Sequence, residues 1–176
     1  MEKFLLLKNK IKKNEGFRNK PYLDSLGNPT IGYGHLIKKK EEKILKTKFS
    51  KKFLSSLFDE DFRKALTDYK KNFDYKKHSK ETKEVLIEMI FQLGITKQKK
   101  FVKMNKHMQN NDVFLAALEM KNSLWYKQTP KRVDGLIRLL LKNEYEKKRK
   151  RCFLKINNRH KTHSKEGQCK KKHYNK

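Results

Sequence analysis

Between Asn14 and His35 the chain reads Asn14-Glu15-Gly16-Phe17-Arg18-Asn19-Lys20-Pro21-Tyr22-Leu23-Asp24-Ser25-Leu26-Gly27-Asn28-Pro29-Thr30-Ile31-Gly32-Tyr33-Gly34-His35. Two kinds of structure meet there. On the N-terminal side Phe4, Leu7 and Ile11 recur at helical spacing, with Lys3, Lys10 and Lys13 elsewhere on the surface. A helix is expected over roughly residues 2–14. Gly16 supplies its stop, which leaves Glu15 on the last turn. On the C-terminal side Ser25 to Pro29 carries turn chemistry, and the flanking Tyr22, Leu23, Thr30, Ile31 and Tyr33 favour strands. A short hairpin is the expected result. Gly32 and Gly34 leave room for a ligand or another backbone to approach.

Beyond residue 50 the pattern is helical. A long helix is predicted from about Lys51 to Phe73, capped by Ser50, with Leu54, Phe58, Phe62, Leu66, Tyr69 and Phe73 on one stripe. Apolar residues surround much of the next segment, Glu81 to Leu93, so it should be the central, most buried helix, ended by Gly94. Further helices fit residues 99–109, 112–121 and 130–142, the last with Thr129 as N-cap and Pro130 at its first position. The fold class is therefore α+β, mostly helical. Lys38 to Lys43 is read as an exposed connector. No internal repeat is visible.

The 176 residues carry 47 Lys+Arg against 19 Asp+Glu, a formal charge of +28. A charge of this size suits anionic partners: nucleic acid, anionic lipid or an anionic wall polymer. Charge alone does not choose among them, and much of it suits solvated faces. No run of 18 or more apolar residues is present, and the cluster Phe4 to Leu7 is too short for a secretory segment. A cytoplasmic protein is the expectation. Cys152 and Cys169 both lie near the C-terminus and define no disulfide framework. With His160, His163 and His173 they form no zinc spacing, and His35 has no neighbours that complete a metal site. No cofactor or metal is expected.

Glycoside hydrolysis needs two carboxyl groups flanking the scissile bond, one to give a proton and one, ionised, to attack or to activate water. Glu15 ends a helix and Asp24 precedes a tight turn, so a helix-to-hairpin junction can bring both to one cleft. The Thr30 hydroxyl can hold a water by donating and accepting hydrogen bonds. Taken alone, the two acids suit a solvated surface equally well, and Thr30 suits an ordinary strand.

Three ordered blocks go further. The first comprises Asn14 to Arg18, Tyr22 to Asp24 and Thr30 to Leu36; Met89 to Gly94 and Trp125 to Arg132 are the second and third. Together they resemble the phage-type lysozymes of glycoside hydrolase family twenty-four, over about residues 1–145. The resemblance implies a two-lobed fold. A small lobe, about 15–50, carries the hairpin; a helical lobe, about 51–145, includes the first helix and is joined through the long helix. Glu15 falls at the proton-donor position. Asp24 falls where the family, with Thr30, orients or activates the attacking water. Leu36 and Phe91 fall at substrate contacts, and His35 and Asp61 at a structural ion pair. The implied reaction is inverting hydrolysis of the β-1,4 bond between N-acetylmuramic acid and N-acetylglucosamine in bacterial peptidoglycan. The implied setting is lysis by a phage endolysin, cytoplasmic until a separate pore-forming protein releases it to the wall.

The chain also departs from the family. The stretch from Leu36 to Phe58 is shorter than in T-even phage members, so a reduced small lobe is expected. Two polar substrate-contact positions fall on Met104 and Glu119. Pro29 stands before Thr30, where it can alter the hairpin register. Residues 146–176 have no family counterpart and read as a disordered basic tail. A monomer with no specific nucleic-acid partner is expected. The alternatives are a lytic transglycosylase acting on the same bond, and a nucleic-acid-binding protein resting on the run Lys147 to Arg151.

Overall fold

The computed structural model describes residues 4–24, 27–43 and 48–146. The basic tail from residue 147, with both cysteines, lies outside the described residues. Leu5–Glu15 form α1, with Leu7 and Ile11 buried as their spacing predicts. Gly16 ends it at φ 70°, and its N–H donates to the Lys12 carbonyl. Glu15 is therefore the last helical residue.

The chain then turns into three antiparallel strands in the order β1 (Arg18–Leu23), β2 (Pro29–Gly32) and β3 (His35–Leu36). The expected hairpin is β1 and β2; the third strand is additional. A tight turn through Tyr33 and Gly34 folds it back, pairing Ile31 with His35 and Thr30 with Leu36. Pro29 does not disturb the ladder at its own position. It pairs with Leu23, and its carbonyl accepts from Ile37 N at 2.8 Å. The register slips instead between Arg18 and Tyr22, a span containing Pro21, which has no N–H to give.

The lysine-rich connector contains a 3-10 turn, Lys39–Glu41, in which the Glu41 side chain accepts from the Lys38 N–H. Helix α2 (Lys51–Asn72) follows, with the Ser50 hydroxyl accepting from Phe53 N as a cap. Helix α3 (Lys80–Leu93) is capped by Ser79 and buried from Val85 through Ile90, the central helix that its all-round apolarity predicts. The short α4 (Ile95–Gln98) was not expected; the helix expected over 99–109 is α5 (Val102–Gln109), which starts three residues later. The buried Gln98 side chain donates to Asn105 between the two. Helix α6 (Val113–Lys121) starts one residue after the expected Asp112, whose side chain caps it by accepting from Leu115 N. The short α7 (Leu124–Gln128), capped by Ser123, was not expected. Helix α8 covers 130–146. The Thr129 hydroxyl donates back to the Trp125 carbonyl.

Two apolar cores result. The larger gathers α1, the C-terminal part of α2, and α3, with Met104, Met108, Trp125, Val133, Leu136 and Leu140. The smaller is Ile31, Ile37, Leu54 and Leu57, with Phe49 packed against it. The stripe on α2 therefore serves both: Leu54 faces the sheet, and Phe58, Phe62 and Tyr69 face the helices. Tyr33 packs on the larger core, with its ring 5.7 Å from Phe58 and 5.0 Å from Phe17. Among the described residues no helix is long and apolar enough to cross a membrane.

Candidate active site

Glu15 leaves α1 where the sheet begins. Its Oε1 accepts from Arg132 Nη1 at 2.8 Å, a charge-assisted bond to a guanidinium on α8. Its other oxygen lies against Gly34. A Cβ built on Gly34 would stand 3.0 Å from Glu15 Oε2, and Gly34 holds φ +81°. Only glycine satisfies both demands without displacing the carboxylate. The room predicted around Gly34 is therefore filled by the Glu15 side chain.

Asp24 is organised by its own turn. Its Oδ1 accepts from Asn28 N at 2.8 Å, and the Asn28 amide reaches Oδ2 at 3.1 Å. The two backbones close the loop through Asp24 N to Asn28 O at 2.9 Å. Thr30 is buried, and its hydroxyl donates to the same Asn28 carbonyl at 3.1 Å. Asn28 thus ties Asp24 and Thr30 into one unit, while the hydroxyl oxygen of Thr30 keeps lone pairs for a further donor. Tyr22 pairs with Thr30 across the sheet. Burial raises the Tyr22 phenol above its ordinary range; Arg18 opposes this, and the charges of Glu15 and Asp24 add to it. One hydroxyl therefore feels both carboxylates.

Beside Gly34 opens a cavity of about 410 Å³, lined among others by Leu36, Asp61, Lys64, Asp68 and Phe91. The predicted contact residues Leu36 and Phe91 face this one space from β3 and α3. Leu36 is half exposed, and the Phe91 ring packs 5.3 Å from Phe58. Met104 and Glu119 instead line a separate cavity of about 380 Å³ with Phe101 and Ser123.

The predicted pair of His35 and Asp61 is present: Nδ1 and Oδ2 are 2.7 Å apart. The hydrogen bond to Asp61 raises the His35 pKa against the opposing effect of burial, and the charges of Asp61 and Glu41 add to the rise. This pair ties β3 to α2. Among the described residues no three His, Cys, Asp or Glu side chains converge as metal ligands.

A helix-end carboxylate backed by an arginine, a turn-held aspartate and an open cleft between sheet and helices agree with the order of the three sequence blocks. The family model for phage lysozymes matches residues 12–144. The chain belongs to the phage lysozyme family. The probable T4-type lysozyme 2 of Dictyostelium discoideum is 32% identical over 154 residues, covering 74% of this chain and 91% of its own. The probable T4-type lysozyme 1 of the same organism is 32% identical over 157 residues, 76% of this chain and 92% of its own. The pre-baseplate central spike protein Gp5 of Enterobacteria phage T4 is 28% identical over 158 residues, 77% of this chain but 28% of that protein. Membership makes this lysozyme a glycoside hydrolase of the muramidase class, whose substrate is peptidoglycan.

Two residues of the lysozyme site escaped the sequence reading. Arg132 stood in a quoted block without a role, because nothing local ties it to a residue 117 positions away. Glu88 is wholly buried, accepting from Asn14 Nδ2 at 2.8 Å and Arg132 Nε at 3.2 Å. A signal for it existed. A lone carboxylate inside Val85-Leu86-Ile87-Glu88-Met89-Ile90 demands a buried partner.

Proposed function

We propose that this lysozyme hydrolyses the β-1,4 bond between N-acetylmuramic acid and N-acetylglucosamine with inversion at the anomeric carbon. Glu15 gives its proton to the leaving oxygen. Asp24 and Thr30 hold the water that attacks from the other face. The sugar rings lie along Leu36 and Phe91, whose apolar faces suit pyranose rings. The carrying observation is the setting of Glu15, pinned between Arg132 and Gly34 at the edge of the cleft. A proton donor must be fixed in direction to act in the transition state. Inversion needs carboxyl groups about 6.5–9.5 Å apart with water between them. The Asp24–Asn28–Thr30 unit supports the water-holding role, since it offers a carboxylate and a hydroxyl tied to the same residue.

His35 and Asp61 act structurally. The catalytic domain spans about 1–145 and works as a monomer. The excess of cations, 47 against 19 acids, holds the enzyme on an anionic wall, so lysis should weaken as salt is added.

Purified peptidoglycan decides the reaction. Turbidity should fall, and the fragments should carry reducing ends of inverted anomeric configuration by proton NMR on fresh product. Anhydro ends would mean transglycosylation, and a retained anomer would assign Asp24 a nucleophilic role in place of water activation.

A further inference from the structure

We propose that Glu88 is a positioning residue of this lysozyme, setting the charge that Glu15 feels through their shared arginine. The inference rests on Glu15 being the general acid. Helix α3 is buried around Glu88, which has 0% exposed surface. A carboxylate in such a place is costly unless paired. Its Oε1 takes Asn14 Nδ2 and Arg132 Nε, and Lys10 Nζ lies 3.4 Å from Oε2. The same guanidinium gives Nη1 to Glu15 at 2.8 Å, with its Nη2 buried and unpartnered. One cation is thus divided between two carboxylates, one of them sealed in the core.

The division has a chemical consequence. A general acid must carry its proton at working pH, and a bare guanidinium at hydrogen-bond distance favours the ionised form. Glu88 supplies the opposing charge. Among the described residues, α1 contributes Lys10 and Asn14; α8, Arg132 and, further off, Lys142; β1, the Tyr22 phenol with Arg18 and Asp24 beyond it; and α3 itself, Glu84, which feels Lys80, Glu81, Lys10 and Lys142. Among these Glu88 is the anion in direct contact with Arg132 that does not take part in the chemistry. It also fixes the guanidinium through Nε, which leaves Nη1 aimed at Glu15.

The test is the pH profile of kcat/KM on purified peptidoglycan. Glu88→Gln keeps an acceptor for Nε and removes the charge. The alkaline limb should move down by roughly one pH unit, with KM little changed. Lys10→Gln removes the half-exposed cation on the other side of Glu88, so its limb should move up. The double variant should lie between them. Thermal melts accompany each variant, and Lys10→Gln carries the test alone if Glu88→Gln does not fold. Unmoved limbs, or a uniform loss of rate at every pH, would overturn the proposal. Glu15→Gln runs in parallel. If it still clears peptidoglycan, the general-acid reading fails. If it is inactive while the other profiles superimpose on the parent, the role of Glu88 alone fails.

Discussion

Glu15 is held by Arg132, 117 residues further along the chain, whereas Asp24 is held by Asn28, four residues on. The first carboxylate owes its setting to the packing of α1, α3 and α8 against one another. The bonds from Asn28 to the second are local to one turn. The proposed acid is held through tertiary structure and the proposed water-holding group largely through local bonds, so the two should answer differently to mutation.

The largest expected effect is at the acid. Glu15→Gln should lower kcat/KM on peptidoglycan about a thousandfold. Its melting temperature should change little, because the amide can still accept from Arg132. Retained lysis would remove the distinction between the two carboxylates. Gly34→Ala sharpens the tertiary side of the comparison. Its Cβ meets Glu15 Oε2 at 3.0 Å, so the carboxylate must shift, and kcat should fall about a hundredfold while KM holds. An unaltered kcat would mean that the position of Glu15 is not critical. Asn28→Ala tests the local side. It leaves the backbone bonds of the turn but removes the side-chain amide that reaches Asp24. Activity should fall about tenfold, with little change in the urea midpoint. A loss equal to that of Glu15→Gln would show the turn to be as demanding as the helical core.

The smallest effect on activity is expected away from both carboxylates. Asp61→Asn removes the partner that raises the His35 pKa. A raised histidine stabilises the fold fully below its unfolded value, about 6.5, and the gain fades as pH climbs through the folded value. The melting-temperature gap between parent and variant should therefore be widest near pH 6 and close toward alkaline pH. At its widest it should correspond to about 2 kcal/mol, since Asp61 is partly exposed. A gap independent of pH would show that the pair is not charged.

The same division explains what the sequence disclosed. Gly16, the Ser25–Pro29 turn, the stripe on α2 and the all-round apolarity of α3 are local signals, and the elements they imply are present. The third strand was not legible, because His35-Leu36 is two residues long and is made by pairing with Thr30 and Ile31. Helix α7 is five residues set by the Ser123 cap, too short for periodicity to register. Helix α4 is four residues long, too short for periodicity to register, and its Gln98 donates to Asn105 of α5, a contact invisible to helical propensity. Around the site, Glu15, Asp24 and Thr30 came from the blocks; Glu88 was signalled as a lone acid in an apolar run, while its partner Arg132 became legible only once distant helices had packed.

Leu57 and Phe58 are neighbours on α2, yet they feed different cores. The first two turns of that helix are therefore a roof shared with the sheet, and among the described residues the small core has four buried side chains to hold it down. If those turns fray, Ile31 and Ile37 lose their cover while the packing around Phe62 and Tyr69 survives. Amide exchange in β2 should then keep pace with residues 51–57 and run faster than in α3. The wall of the cleft would breathe with the end of one helix.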